Sequence, residues 1–565
     1  MKRIISLVLI IAMALCFAVG CNQTPPEAPA CEHIDDNNTG YCDKCNAKMP
    51  DDQGGESGGT ENGGTENGGT EGGGTENGGT EGGGTCSVKS DHIDKDNNGS
   101  CDVCSTSVVV VLDIYAINDL HGKLADTDTN IGVDELTSYL EAMRAADDHS
   151  ILLSSGDMWQ GSAESNMTSG KIIVDWMNAL GFASMTIGNH EYDWGPDAVK
   201  ANAELADFPF LAINIFDRST NERVEYCDAS VVVECGELTV GIIGAVGNCY
   251  SSISASQVED VYFKVGGELT ALIKAESERL RTEEGVDFVV LSIHDGYSNS
   301  VASTEQMFQS TFNSYYGAEL SSGGYVDMVF EGHTHASYVL IDQYGVYHLQ
   351  NGGENKGISH SEIRINYAND EWTVNNANFI RSSSYGVYPD SPLVSELLEK
   401  YKDVIAPAYE ILGINSKRRD DNEIEDTVAM LYAIFGEEVF GGEYNIVLGG
   451  GFLKTRSPYD LDPGEIMYAD LQMILPFDNN IVLCSIKGST LKSRFINPSN
   501  DYHTYLTEYG ESIKNSIKDD QIYYIVTDTY TADYKANGLT VVKDFGAGTY
   551  ARDLLADYIK DGGYN

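Results

Sequence analysis

The chain reads Asn118-Asp119-Leu120-His121 directly after the apolar run of residues 108–117. Four more polar stretches recur further along, most of them after apolar, β-branched runs: Gly156-Asp157, Gly188-Asn189-His190-Glu191, Ser292-Ile293-His294 and Gly332-His333-Thr334-His335. Such runs are typical of buried strands, and we expect strands over residues 108–117, 151–153, 185–187, 286–293 and 326–330. Ligand-type side chains at strand ends indicate an α/β protein with a site at its sheet edge.

The residue types in these stretches favour a pair of metal ions. Asp, Asn and His supply oxygen and nitrogen ligands that suit Mn, Fe, Zn or Co. One carboxylate can bridge two cations about 3.5–4 Å apart, which then clamp the attacking and leaving oxygens of a phosphoryl displacement and acidify a water. Asp157 is the best bridging candidate because it ends a strand alone. His190 stands three residues before Asp193, which is suited to orient a general acid.

Three segments resemble the calcineurin-like metallophosphoesterase family, and within it the bacterial 5′-nucleotidases and related nucleotide-phosphate hydrolases. The segments are residues 118–122 (NDLHG), 156–162 (GDMWQGS) and 188–195 (GNHEYDWG). The resemblance extends over residues 110–565. It implies an α/β fold: a four-layer metallophosphoesterase β-sandwich flanked by helices, followed by a separate α/β substrate-binding domain.

The same resemblance implies roles for individual residues. One metal ion would lie among Asp119, His121, Asp157 and His335, and the other among Asp157, Asn189, His294 and His333. His190 would stabilise the transition state and protonate the leaving group, with Asp193 behind it. The implied reaction is attack of a metal-bound hydroxide on a nucleotide phosphate.

Substrate contacts are implied in the second domain. The stretches 449–456 (GGGFLKTR) and 475–479 (LPFDN) resemble the family's Gly-rich and Pro-Phe-x-Asn motifs. We expect Phe477 to leave a strand at residues 473–475 into a loop facing the cleft, where its ring can stack on a base. Tyr530 would form the other side of this clamp and Asn479 would contact the nucleoside. The cationic substrate-binding candidates are Arg419, Lys454 and Arg456.

The N-terminus has the pattern of a bacterial lipoprotein signal. A basic start, Met1-Lys2-Arg3, precedes a short apolar run that ends Ala18-Val19-Gly20-Cys21. We expect lipidation at Cys21 and an extracytoplasmic, cell-envelope location, with a plain signal peptide or an N-terminal membrane anchor as alternatives. Residues 54–85 repeat a Gly-Gly-Thr-Glu pattern that predicts a disordered spacer.

Two Cys/His motifs flank the spacer, each with three Cys and one His. They are Cys31/His33/Cys42/Cys45 and Cys86/His92/Cys101/Cys104. Each is sufficient for a tetrahedral structural zinc site. Two alternatives stay open: disulfides, which an exported location permits, and calcium, because Asp94, Asp96, Asn98 and Gly99 follow the spacing of a calcium loop.

The formal charge of −52 argues against nucleic acid polymers as partners. Expected partners are a nucleotide or another small phosphoester and, through the lipid anchor, the membrane. The expected organisation is a signal peptide (1–21), spacer region (22–107), catalytic domain (108–382), linker with a helix (383–412) and substrate domain (413–565). The sequence thus predicts an exported, dinuclear-metal, 5′-nucleotidase-like phosphohydrolase. The alternatives are a 2′,3′-cyclic nucleotide phosphodiesterase, a nucleotide-sugar pyrophosphatase and a non-catalytic surface binding protein.

Overall fold

The computed structural model describes residues 86, 88–125, 132–146, 149–312, 317–369, 371–453, 455, 460–496, 502–535, 538–546 and 548–565. The predicted signal segment, the repeat spacer and the first Cys/His motif lie outside the described residues.

Two six-stranded sheets form the N-terminal part of the fold, with strand orders β14-β13-β1-β2-β3-β4 and β11-β12-β10-β9-β7-β6. A separate two-stranded ribbon joins β5 and β8. The strands are β1 Val109–Ile117, β2 Ser150–Ser154, β3 Ser184–Thr186, β4 Phe210–Leu211, β5 Ile215–Asp217, β6 Ser230–Cys235, β7 Leu238–Val246, β8 Val261–Phe263, β9 Phe288–His294, β10 Met328–Glu331, β11 Tyr338–Ile341, β12 Tyr347–Gln350, β13 Gly357–Asn366 and β14 Glu371–Arg381.

The parallel strands explain why the polar stretches meet. β1 to β4 run parallel in the first sheet, and β7, β9, β10 and β12 run parallel in the second. Buried apolar side chains from both sheets, such as Leu112, Val290 and Phe330, form a common core between them. The predicted strands are therefore confirmed. Their carboxyl ends lie at one edge of the sandwich, where parallel sheets carry their sites.

Helices cover the outer faces and complete the four predicted layers. Trp176 and Leu140 belong to a core over the first sheet, and Leu269 and Ile273 belong to a core over the second. The helices of this part are α1 Asp134–Ala146, α2 Ala163–Met167, α3 Lys171–Leu180, α4 Gly195–Leu205, α5 Gly267–Arg279, α6 Asn299–Ala302, α7 Glu305–Phe312, α8 Gly317–Ser322 and α9 Ser382–Tyr385.

The C-terminal part is a second α/β unit built on a five-stranded sheet of order β19-β16-β20-β18-β21, beside a β15-β17 pair. Its strands are β15 Ile411–Asn415, β16 Ile446–Gly451, β17 Gly464–Met467, β18 Ile481–Lys487, β19 His503–Leu506, β20 Ile522–Asp528 and β21 Leu539–Asp544. Its helices, with the connecting helix first, are α10 Pro392–Ile405, α11 Asp421–Phe440, α12 Tyr468–Ile474, α13 Gly488–Leu491, α14 Glu508–Ile513 and α15 Ala551–Lys560. Among the helices of the described ranges, none has the length and apolar character needed to cross a bilayer.

One local prediction is wrong. Residues 473–475 do not form a strand, because helix α12 runs through Ile474 and the loop carrying Phe477 follows it. The Asp470 carboxylate accepts a hydrogen bond from the backbone N–H of Met467 at 2.8 Å and so caps the first turn. Phe477 still enters the predicted loop, which Arg552 supports by donating to the carbonyl oxygens of Leu475 and Phe477.

Candidate metal centre and substrate cleft

The strand-end loops bring the predicted ligands into one cluster. Three overlapping groups have ligand atoms within 4.8 Å of one another: Asp119/His121/His335, His121/Asp157/His190 and Asp119/Asp157/His294. Asp119, His121, Asp157 and His294 are fully buried or nearly so. Asp119 and Asp157 each belong to more than one group, so that one carboxylate can serve two cations, as a dinuclear site requires.

The first ligand group surrounds Asp119. Its Oδ1 lies 3.3 Å from His335 Nε2, and the Nε2 atoms of His121 and His335 lie 3.0 Å apart. His121 Nδ1 is 2.8 Å from the Gln160 carbonyl oxygen, which can only accept, so Nδ1 carries the proton. This tautomer makes Nε2, which lies 4.0 Å from Asp119 Oδ1, the metal-binding atom of His121, as in other metal-binding histidines.

The second ligand group surrounds His294. Its Nε2 lies 2.9 Å from Asp157 Oδ2, and its Nδ1 donates to the Ser155 carbonyl oxygen at 2.7 Å. Burial alone would raise the pKa of Asp157, but the neighbouring His294 holds it well below its usual range, so the carboxylate is ionised. His333 lies beside His294, with ring centroids 5.5 Å apart.

Asn189 provides a direct test of whether this donor set fits a cation. Its side-chain Oδ1 is buried and has no hydrogen-bond partner among the described residues. A buried amide oxygen without a partner is costly in a folded protein unless a ligand satisfies it. An amide oxygen is a good ligand for a hard or borderline divalent ion. The residues present therefore fit the metal ions that the sequence predicts.

The ligand backbone is unusual. Five of the seven predicted ligands have positive φ angles, in the left-handed region that non-glycine residues rarely adopt. They are Asp119 (51°), His121 (53°), Asp157 (55°), His333 (73°) and His335 (52°). Outliers of this kind cluster at functional sites, where the surrounding structure holds them in place.

Glu191 supports the site in a way the sequence reasoning missed. Its buried carboxylate accepts three backbone N–H groups, from Asp157 at 3.0 Å, Met158 at 2.8 Å and Gly188 at 2.7 Å. Burial raises the pKa of Glu191 to about 7, and the charge of Asp157 acts in the same direction. Gly188 must be glycine, since a Cβ there would lie 2.3 Å from Asp157 Oδ1. Glu191 thus joins the two loops that carry Asp157 and Asn189.

Cys249 was also missed. Its thiol is free, forms a cluster with His294 and His333, and donates to the His294 carbonyl oxygen at 2.8 Å. Burial raises the pKa of the Cys249 thiol well above its ordinary value, so it remains a neutral donor. No pattern of spacing within the sequence pointed to this contact.

His190 lies over the cluster and is partly exposed. Its Nδ1 is 2.7 Å from Asp193 Oδ2, and its backbone N–H donates to Asp157 Oδ1 at 2.8 Å. Its ring stacks on Phe477 of the C-terminal unit, with centroids 5.8 Å apart and planes 22° apart. A hydrogen bond of 3.0 Å from Asn166 to Gln472 also crosses between the two units. The predicted general acid therefore lies at the junction of the two units.

Of the other predicted substrate residues, Tyr530 and Arg419 contact neighbouring side chains of the C-terminal unit. Tyr530 faces the Phe452 ring at 6.1 Å, and Asn479 is partly exposed in the Phe477 loop. The Arg419 guanidinium lies 3.9 Å from the Tyr564 ring centroid and donates to Asn415 Oδ1 at 3.1 Å. Several predicted residues lie outside the described part of the chain: Lys454, Arg456, Cys21, Cys31, His33, Cys42 and Cys45.

Comparison with known proteins agrees with this geometry. Residues 112–337 match the calcineurin-like phosphoesterase family. An apyrase from Tabanus yao is 24% identical over 68% of this chain and 72% of its own length. A 5′-nucleotidase from Diplobatis ommata is 22% identical over 80% of this chain and 87% of its own.

The fold of a putative 5′-nucleotidase from Staphylococcus aureus is similar to that of the chain, with a TM-score of 0.59 at 16% identity. That similarity covers 80% of this chain and 97% of the other. The chain therefore carries a calcineurin-like phosphoesterase domain and is homologous to the 5′-nucleotidases.

Proposed function

We propose that the protein is a divalent-metal-dependent phosphohydrolase that removes phosphate from nucleotides, in the manner of a 5′-nucleotidase. The observation that carries the proposal is the cluster around Asp157, whose carboxylate lies among His121, His190, His294 and Asp119. The Asn189 amide oxygen adds a further ligand that no described residue satisfies. A non-catalytic binding protein would gain nothing from so costly a buried polar set.

Different residues of the chain bind the metal ions and transfer the proton. Two divalent ions held by these ligands would polarise the phosphoryl group and acidify a water. His190 presents Nε2 to the leaving oxygen and delivers the proton, while Asp193 accepts from Nδ1 and stabilises the charged ring. The hydrogen bond from the His190 backbone to Asp157 fixes the acid relative to the ligands. The ions are drawn from Mn, Zn, Fe or Co, which suit nitrogen and oxygen donors.

Nucleotides are the favoured substrates because an aromatic ring, that of Phe477, stacks beside the proposed acid His190. Phe477 and Tyr530 are assigned to the base, Asn479 to the nucleoside, and Arg419, Lys454 and Arg456 to the remaining polar groups. The names of the apyrase and 5′-nucleotidase relatives support this class. A 2′,3′-cyclic nucleotide or a nucleotide-sugar pyrophosphate would use the same metal chemistry and is the second candidate.

A substrate panel tests the proposal. Hydrolysis with Mn²⁺ is followed by chromatography of the products from nucleoside 5′-monophosphates, 2′,3′-cyclic nucleotides and nucleotide sugars, because only the first class releases inorganic phosphate directly. Asp157→Asn serves as the matched inactive control. The 5′-monophosphates should give the highest kcat/KM, and the control should give none. A higher kcat/KM for one of the other two substrate classes would favour the second candidate function. Absence of metal-dependent turnover on every substrate would refute enzymatic function.

We also propose that the chain is exported and anchored by lipid at Cys21, with a spacer region at 22–107 that carries both Cys/His motifs and precedes domains at 108–382 and 413–565. The signal-like N-terminal pattern supports this location. Metabolic labelling with a fatty acid should mark the native chain and not Cys21→Ser. Equal labelling of both would contradict lipidation at this residue.

A further inference from the structure

Four side chains just before β1 converge outside the catalytic cluster. The ligand atoms of Cys86, His92, Cys101 and Cys104 all lie within 4.8 Å of one another. Cys86 Sγ is 3.6 Å from Cys101 Sγ, and Cys104 Sγ is 3.5 Å from His92 Nδ1. Three thiols and one imidazole around a common centre form the donor set of a structural zinc site.

The other two interpretations of this motif fit the geometry less well. All three cysteines are free, and a disulfide between any two would leave the third thiol and His92 facing an empty centre. In the calcium-like loop, Asp94 already accepts from the backbone N–H groups of Asn98 at 3.0 Å and Gly99 at 2.8 Å. The Asn366 side chain donates to the same carboxylate at 2.8 Å. Asp94 therefore folds the loop instead of coordinating a cation.

The surroundings of the thiols also suit thiolates bound to a metal ion. The backbone N–H groups of Ile93 and Val103 point to Cys101 Sγ at 3.5 and 3.4 Å. Hydrogen bonds of this kind to the ligand atom orient a metal site and stabilise the negative sulfur. Cys101 itself is buried, with Val108 and Leu112 in the core between the two sheets.

We propose that Cys86, His92, Cys101 and Cys104 bind one zinc ion, and that the zinc-loaded motif fastens the N-terminal segment to the catalytic sandwich. Three contacts attach this segment to the sandwich. The His92 ring meets the Tyr367 ring edge-on at 5.8 Å. Lys89 forms an ion pair with Asp287, and Asp94 accepts a hydrogen bond from the Asn366 side chain. This site is separate from the phosphohydrolase centre and does not rest on the proposed function.

Strand β1 sets the distance between the two metal sites. The motif precedes Val109, the first residue of β1, whereas Asp119 and His121 follow its last residue, Ile117. Nine residues at about 3.3 Å each make the strand about 30 Å long. Zinc therefore acts at the opposite end of the sandwich from the catalytic ligands, and its loss should leave their geometry intact.

Metal analysis of the full-length protein tests the zinc site. Cys104 is only partly buried, so Cys104→Ser should fold and should contain one zinc ion fewer per chain than the wild type. His92→Cys, which keeps four ligands, should retain the ion, and so should Asp96→Asn, which removes a carboxylate of the calcium-like loop. Equal zinc in Cys104→Ser and wild type, or a disulfide among these cysteines by intact-mass analysis, would overturn the proposal.

Hydrogen exchange tests the fastening. In Cys104→Ser, amides of residues 88–107 should exchange faster than in the wild type, while peptides containing residues 118–121 should be unchanged. Phosphate release with saturating Mn²⁺ should stay within about twofold of the wild type, because the catalytic ligands lie a full strand away. Equal protection of residues 88–107 with and without the ion would show that zinc does not hold this segment to the sandwich.

Discussion

The rings of His190 and Phe477 stack across the junction of the two α/β units, with centroids 5.8 Å apart and planes inclined by 22°. The predicted general acid and the predicted base-binding ring are thus in contact. Arg552 holds the loop behind Phe477, donating to its carbonyl oxygen at 3.2 Å. The residue predicted to act in the chemistry and the residue predicted to recognise the base therefore lie side by side at this junction.

Replacing Phe477 by Ala should separate recognition from catalysis. If the ring stacks on a base, KM for nucleotides should rise by an amount equivalent to about 1–3 kcal/mol. Turnover of p-nitrophenyl phosphate, which has no base, should barely change, and Phe477→Tyr should behave like the wild type. Steady-state kinetics on both substrates decide the outcome. Equal losses on both would mean that the ring serves to position His190 instead.

Removal of the general acid should leave the metal ligands in place. His190→Ala is expected to retain two catalytic metal ions and to lose about 10²–10⁴ in rate, the usual contribution of a positioned acid. Asp193→Asn, which weakens only the 2.7 Å contact to Nδ1, should lose less. Metal content and kcat are measured on the same preparations. Loss of a metal ion from His190→Ala would make this residue a ligand.

The bridging role of Asp157 predicts the largest effect. Asp157→Asn should weaken both metal positions and abolish turnover, because its carboxylate is shared between ligand groups. Asp113→Asn offers a matched control, since Asp113 lies within β1 and pairs with His360 of β13 at 2.6 Å. Titration with Mn²⁺ gives the affinities. A variant with two metal ions and near-normal rate would refute the bridging assignment.

Glu191 should act through the ligand loops and not through the substrate. Glu191→Gln puts an amide group where backbone N–H groups need acceptors, so the loops of Asp157 and Asn189 should loosen. We expect metal affinity to fall about 10–100-fold, as for other groups that orient ligands. High Mn²⁺ should then restore most of the rate. Unrecovered turnover at saturating metal would instead indicate a direct part in the chemistry.

His348 predicts a pH-dependent contribution to stability. It is buried between Glu331 at 3.2 Å and Asp342 at 3.5 Å. Burial lowers its pKa, but the charge of Glu331 and the contact with Asp342 outweigh this and raise it to about 9. The folded pKa exceeds the unfolded value of about 6.5, so this contribution is complete below about pH 6.5 and disappears as pH rises through about 9.

Thermal unfolding checks the His348 prediction. The difference in Tm between wild type and His348→Gln should be largest near pH 6 and shrink towards pH 9. A difference that grows with pH would mean that the imidazole is neutral in the folded protein.

The sequence predicted the sandwich well because its strands are long apolar runs that end in ligand residues, as β1 does before Asp119. It failed at residues 473–475, where a short apolar run does not distinguish strand from helix. Asp470, at the third position of α12, was the capping signal that would have corrected it. Glu191 and Cys249 were missed because their partners, Asp157 and His294, lie far away in sequence.

The left-handed backbone at five metal ligands, such as Asp119 and His333, carries a further consequence. For a residue with a Cβ, this conformation costs about 1–2 kcal/mol, which glycine would not incur. Glycine cannot coordinate a cation through a side chain, so the backbone strain at these positions is retained together with the ligands. When the metal ions are removed, these ligand loops should therefore be the first part of the sandwich to relax to a less strained backbone.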